Sequence, residues 1–323
     1  MNAIDPVRAV VPCRACLSGE DLDWLGGGRS VSLALGLMTT VEVVAEPASG
    51  GEGGGWEEEV WAFLRARVPA LDEGPPAVTV RSEAPAASGL SSSTARIVAL
   101  FRAFTDAAVQ GRRVSDATLT RWAYEFEFAV FHGGGMDHLA VVQGGALLLE
   151  GRETGLPVVR ERLEFPGEWA VVVVDSGTRK DTGHHIRDVR AQLAAGDPVL
   201  AAYRAAADEV SGRVWEALRG RDLAALGAAM ADGHAAMRDH QRMSTPLLEE
   251  LREVALREAG LPLKLSGAGG GGSLVGVCAA AQVRETVARL ARALGVSHPA
   301  ARVIPTTAAS GVRREPVPVV EVR

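Results

Sequence analysis

Apolar residues along this chain alternate between two spacings, and the switches mark its elements. Strand-like runs occupy residues 7–18 and 30–45 (Val10, Val11, then Val41, Val43 and Val44), separated by the polar, glycine-bearing G-E-D-L-D-W-L-G-G-G. Val60, Trp61 and Leu64 give residues 57–68 a helical face, and a strand follows near Val78–Arg81. The stretch P-A-A-S-G-L-S-S-S-T-A at residues 85–95 then runs into Ile97, Val98, Leu100, Phe101 and Phe104, whose spacing is that of a helix. Ser115 is placed to cap a second helix carrying Leu119, Trp122, Ala123, Phe126 and Val130 on one face. Residues 132–149 read as a glycine turn followed by apolar segments.

The second half opens on a buried strand, Trp169 to Val174, and continues in helices near 184–194, 198–220 and 222–240. Thr245-Pro246 starts another helix, with Pro in its first turn, and Gly260 closes it. Strands at Leu263–Ser266 and Leu274–Cys278 flank a glycine-rich turn. A helix with Val283, Val287, Leu290 and Leu294 on one face follows, then strands near 301–304 and 317–322. Strands and helices mix without regular βαβ alternation, which predicts an α+β fold. With 323 residues two domains are expected, divided in the loop near 150–157 into 1–157 and 158–323.

Composition narrows the function classes. A charged fraction of 23% and a hydrophobic fraction of 47% are those of an ordinary soluble globular chain. The net charge of −6, with no basic stripe to offset it, argues against a nucleic-acid partner. Cys13, Cys16 and Cys278 are too few for a disulfide framework, and no histidine cluster completes a zinc site beside the C-x-x-C pair. The N-terminal residues lack an apolar signal core and no apolar run is long enough to span a membrane, so a cytoplasmic setting is expected. Oligomeric state leaves no mark in the sequence.

The candidate chemistry starts at the three serines. They sit where a helix begins, and there unpaired backbone N–H groups and the positive end of the helix dipole favour an anion. Small side chains leave room for phosphate oxygens, and the hydroxyls are within reach of a bound Mg²⁺. Read alone, the same segment also serves as a plain helix cap.

Two further segments decide between those readings. P-C-R-A-C-L-S-G-E-D-L-D-W-L-G-G (Pro12 to Gly27) is similar to the galactokinase N-terminal signature, and K-L-S-G-A-G-G-G-G-S (Lys264 to Ser273) to a glycine-rich C-terminal motif. With the serine loop between them, in that order and spacing, the chain resembles the GHMP small-molecule kinases over nearly its whole length. The resemblance implies a two-domain α+β fold with the active site in the cleft between the domains, and transfer of the γ-phosphoryl group of ATP, with Mg²⁺, to a hydroxyl. Such transfer needs charge neutralisation and a carboxylate to orient or deprotonate the acceptor. By resemblance Asp137 is the base and Arg14 the cation beside it. Ser88, Gly89, Leu90, Ser91, Ser92 and Ser93 cradle the phosphates, and Trp61 flanks the adenine. Ser93 and Glu125 complete the Mg²⁺ shell, while Glu127, about 200° away on the same helix, has no assigned role. Glu20 and Asp23 accept hydrogen bonds from sugar hydroxyls, and Gly267, Gly269 and Gly270 shape the cleft from the second domain.

Departures from the galactokinase pattern surround the acceptor. The usual His-Thr after Glu20 is Asp21-Leu22, the usual Tyr is Trp24, and D-T-G-H-H-I-R puts His184 or His185 where a sugar-contacting tyrosine is expected. Ala87 stands where many relatives carry a glycine, which is tolerable if its φ is negative. The implied acceptor is a monosaccharide or sugar-like cyclitol, at its anomeric C1 hydroxyl. A non-sugar alcohol of the amino-acid or mevalonate type is the alternative, although Glu20 and Asp23 would repel an anion. A non-catalytic sensor that binds sugar and ATP is the third reading.

Overall fold

The computed structural model describes residues 7–44, 55–68, 71, 74–108, 114–179 and 182–315. Strand β1 (Arg8–Ser18) is buried along almost its whole length, and it pairs antiparallel on one side with β2 (Arg29–Val43). On its other side β1 takes the last described strand, β10 (Arg313–Glu315), so residues from both ends of the chain share this sheet. The sheet continues from β2 to β4 (Ala146–Glu150) and β5 (Val158–Leu163), and β3 (Val78–Ser82) joins β2 beyond its pairing with β4. Helix α1 (Trp56–Arg65) packs on α2 (Ser92–Ala108), and α2 lies across β1 and β2 with α3 (Asp116–Phe131) and the short α4 (Met136–Gln143) beside it.

A second sheet has the order β7 (Lys264–Leu265), β8 (Ser273–Ala279), β6 (Trp169–Asp175), β9 (Arg302–Thr306), all antiparallel. Every residue of W-A-V-V-V-V-D in β6 is buried, which explains why its β-branched run shows no alternation. Helices α5 (Thr182–Ala195), α6 (Pro198–Gly220), α7 (Leu223–Gln241), α8 (Pro246–Ala259) and α9 (Val283–Ser297) complete this half. Among the described residues, no helix is long and apolar enough to cross a membrane.

Local chemistry accounts for most helix ends. Ser115 and Thr245 accept the backbone N–H of Thr118 and Leu248, Asp197 precedes Pro198, and Gly260 closes α8 with φ 60°. Helix α4 was not anticipated from the sequence, which shows only a glycine turn there. Six of its eight residues are buried, on all sides, so no amphipathic period marks it. Strand β5 was also missed, because its middle is the charged R-E-R of an edge strand. The expected strand at 317–322 lies outside the described residues, as does most of the glycine-rich stretch after β2.

Candidate active site

A cavity of about 560 Å³ opens where the end of β1, the start of α2, the start of α4 and the glycine turn before β8 converge. The three separated segments of the sequence meet here. Arg14, Glu20 and Asp23 arrive from β1 and the loop after it, Ser88 to Ser93 from the serine loop, Asp137 from α4, and Gly267 from the turn after β7. His185 closes the ring from α5.

Asp137 stands at its centre. Arg14 Nε donates to Asp137 Oδ1 at 2.6 Å, and the Ser91 hydroxyl donates to Oδ2. Arg14 is itself held, its Nη1 donating to the Gly89 carbonyl at 2.6 Å and its backbone N–H to the Leu90 carbonyl at 3.0 Å. Burial alone would raise the Asp137 carboxyl, but the Arg14 charge and the hydrogen bonds from Arg14 and Ser91 outweigh it and hold the group below the usual range. The ionised form is thereby favoured, and a carboxylate in that form can orient a hydroxyl and take its hydrogen bond.

The serine loop reaches α2 through tight backbone. Gly89 has φ 84°, and a Cβ there would overlap the Ser266 carbonyl, so this crossing of the two halves requires glycine. Ser91 (φ 56°) and Ala87 (φ 53°) also take left-handed backbone. The condition under which Ala87 would be tolerated, a negative φ, is therefore not met, and the strain of a non-glycine residue there is about 1–2 kcal/mol. Ser92 and Ser93 open α2 and line the cavity, so the expected helix start is where the sequence placed it.

Glu20 and Asp23 also line the cavity, both almost fully buried. Glu20 Oε1 pairs with the ammonium of Lys264, a fully buried lysine of β7 that also donates to the Leu265 carbonyl at 2.7 Å. Glu20 Oε2 is buried with no hydrogen-bond partner among the described residues. Asp23 Oδ2 accepts the Met136 N–H at 2.9 Å, and burial, aided by the charges of Asp137 and Asp21, pushes its carboxyl up to about 7 against that hydrogen bond. His185 Nε2 lies 2.7 Å from Asp21 Oδ2, while His184 points away and pairs with Asp188 at 3.3 Å.

Several sequence-assigned residues lie elsewhere. Trp61 is packed in the core edge-on to Phe104, with ring centroids 5.1 Å apart, rather than beside the cavity. Leu90 is buried and contributes only its carbonyl. Gly269 and Gly270 turn back against Met243, whose carbonyl accepts the Gly270 N–H at 2.7 Å, so within this trio the cavity sees Gly267. Glu125 is 42% exposed on the outer face of α3 and pairs with Arg67 at 3.1 Å. Glu127 occupies the cavity instead. It accepts from Thr94 Oγ1 at 2.9 Å and lies 2.8 Å from His138 Nε2, which is in ion-pair range but out of line for a hydrogen bond. Nothing in the local sequence separates these two glutamates, and only the seating of α3 against α2 and α4 does so. Lys264 could have been noticed earlier as a charge inside an apolar strand.

The cavity suits a magnesium nucleotide on two counts. The start of α2 presents serine and threonine hydroxyls and the first-turn amides. Mg²⁺ bound chiefly through phosphates needs only one or two protein oxygens. Glu127, with the Thr94 or Ser93 hydroxyl, fits that requirement.

Comparison with known proteins agrees with this architecture. The model of the GHMP kinases N terminal domain matches residues 58–145 and that of the GHMP kinases C terminal domain matches 215–294, together just over half of the chain. The chain belongs to the GHMP kinase family. Among characterised sequences it is 29% identical over 237 residues to a mevalonate kinase of Gibberella zeae, covering 66% of this chain but 45% of that protein. It is 29% identical over 251 residues to a galactokinase of Chloroflexus aurantiacus, covering 65% of this chain and 63% of that one. These matches thus span less than two thirds of either relative. In solved structures the fold recurs in Lactococcus lactis galactokinase complexed with galactose (TM-score 0.77, 17% identity, 95% of both chains). It also recurs in L. major mevalonate kinase in complex with R-mevalonate (TM-score 0.74, 21% identity, 94% and 96%).

Proposed function

We propose that this protein is an ATP- and Mg²⁺-dependent kinase that transfers the γ-phosphoryl group to a hydroxyl of a monosaccharide or cyclitol, the anomeric C1 hydroxyl in the favoured case. The carrying observation is the Arg14–Asp137–Ser91 constellation, set directly against the start of α2. An ionised Asp137 orients the acceptor hydroxyl and takes its proton as the new bond forms. Arg14, the serine-loop amides and the α2 dipole face the charge on the transferring group. Bound Mg²⁺ would neutralise phosphate charge, and we assign its protein ligands to Glu127 with the Ser93 or Thr94 hydroxyl, in place of Glu125.

The acceptor wall supports a neutral polyol. Glu20, Asp21, Asp23, Glu127 and Asp137 line the cavity, and the one guanidinium among the described lining residues, Arg14, is already engaged. The bare Glu20 Oε2 is an acceptor waiting for a hydroxyl, since an unsatisfied buried carboxylate oxygen costs about 1–3 kcal/mol. A substrate with its own carboxylate would meet these charges without a free cation among the described lining residues. The likeness to a mevalonate kinase keeps the mevalonate-type alcohol as the competing reading.

The test is ATP consumption against a panel of monosaccharides and cyclitols, with mevalonate and homoserine included. A neutral polyol should turn over, and Asp137→Asn should slow it about a thousandfold. Preferred turnover of mevalonate or homoserine would replace the acceptor assignment, and turnover of none would sink the kinase reading.

A further inference from the structure

Asp23 does something in this fold that contact with an acceptor would not require. Its Oδ2 accepts the N–H of Met136, across 113 positions of sequence, and Met136 is the first residue of α4 with Asp137 the second. The N-cap position of α4 is Gly135, which has no side chain to offer the opening amides. The cap is therefore delivered from another element, the loop after β1. Gly134 lies at the crossing, where a Cβ would overlap the Asp23 carboxylate. Met136 is pinned in place as well, its sulfur 3.8 Å from Cys16 Sγ.

The rotation of the first turn of α4 decides where the Asp137 side chain points. Arg14 and Ser91 hold the carboxylate from the α2 side, but they act on a flexible side chain. Asp23 holds the backbone one residue earlier, from the loop after β1. We propose that Asp23 is a positioning residue: a tertiary N-cap of α4 that sets the register of Asp137 against the start of α2. Its kinetic consequence rests on the kinase reading above, whereas its structural consequence rests on the hydrogen bond alone.

Two readouts on the full-length chain test it. Amide hydrogen exchange at Met136 should be about tenfold faster in Asp23→Ala and in Gly134→Ala, the size expected for loss of a cap. In Asp23→Asn, whose amide oxygen can still accept the Met136 N–H, it should stay near the wild-type rate. With the acceptor found in the panel, kcat should fall about a hundredfold in Asp23→Ala and Gly134→Ala, as for a displaced catalytic group, and be largely rescued in Asp23→Asn. An Asp23→Ala enzyme with raised KM, unchanged kcat and unchanged exchange would overturn the proposal and leave Asp23 a simple acceptor contact. Should Asp23→Ala not fold, Gly134→Ala against Asp23→Asn decides, and equal exchange in that pair refutes the cap. Should no acceptor turn over, the kinase reading fails while the exchange result still decides the capping.

Discussion

Two carboxylates line this cavity, one half-buried and one almost fully buried, and their surroundings push them in opposite directions. Asp137 receives the Arg14 guanidinium at 2.6 Å and the Ser91 hydroxyl, so its ionised form is compensated and its carboxyl lies low. Asp23 receives one backbone N–H and no cation, so burial dominates and its carboxyl rises to about 7. Residue type is the same at both, but Asp137 is only half-buried where Asp23 is almost fully buried, and partner supply adds to that difference. Divergent carboxyls in one site are how a fold separates an ionised base from a group that can hold a proton near neutrality.

Removing the compensation should erase that contrast, and it carries the largest expected effect. In Arg14→Met, Asp137 keeps the Ser91 hydrogen bond but loses the guanidinium that does most to oppose burial, so its carboxyl rises. The rate of phosphoryl transfer should fall about a thousandfold, and the acid limb of its pH profile should move to higher pH. An unmoved acid limb would show that Arg14 does not tune Asp137.

Asp23 offers the opposite test, on stability. Its folded-state value near 7 lies above the value of a free aspartate, about 3.9. The folded chain therefore holds this proton more tightly, and the contribution is present below about pH 4 and lost as pH rises to 7. Asp137, held low, contributes in the other sense: its share is present above about pH 4 and lost below. Asp23→Asn should remove only the first trend. Between pH 5 and pH 8 it should gain on the order of 2 kcal/mol relative to wild type, read from denaturant midpoints. Parallel curves for the two proteins would contradict the raised carboxyl.

A third carboxylate sharpens the comparison at the nucleotide end. Glu127→Gln should raise the Mg²⁺ concentration needed for half-maximal rate about tenfold. Glu125→Gln, which breaks only solvent-exposed pairs with Arg67 and Arg121, should change neither that requirement nor the stability by more than about 0.5 kcal/mol. The reverse pattern would restore Glu125 to the site.

Much of the fold was legible because its signals are local. Ser115, Thr245-Pro246 and Gly260 mark helix ends through bonds to neighbours three or four residues away. The serine loop, Arg14 and Asp137 were legible through motifs whose small residues and charges follow from what a phosphate needs. Helix α4 escaped because burial on every side removes amphipathicity. Trp61 and Glu125 were misplaced for a related reason: a helix period says which residues share a face, but not which face meets the cavity.

The sequence by itself determined most of the elements (though not α4 or β5), the helix start that can receive an anion, and the family. Tertiary structure decided the rest. It chose Glu127 over Glu125, turned Gly269 and Gly270 away, buried Lys264 against Glu20, and set Asp23 as the cap of a helix 113 residues away. The physical reason is that capping and periodicity act over one turn of chain. The charge state of a buried carboxylate depends instead on which partners folding brings within 3 Å, and those arrive from anywhere in the sequence.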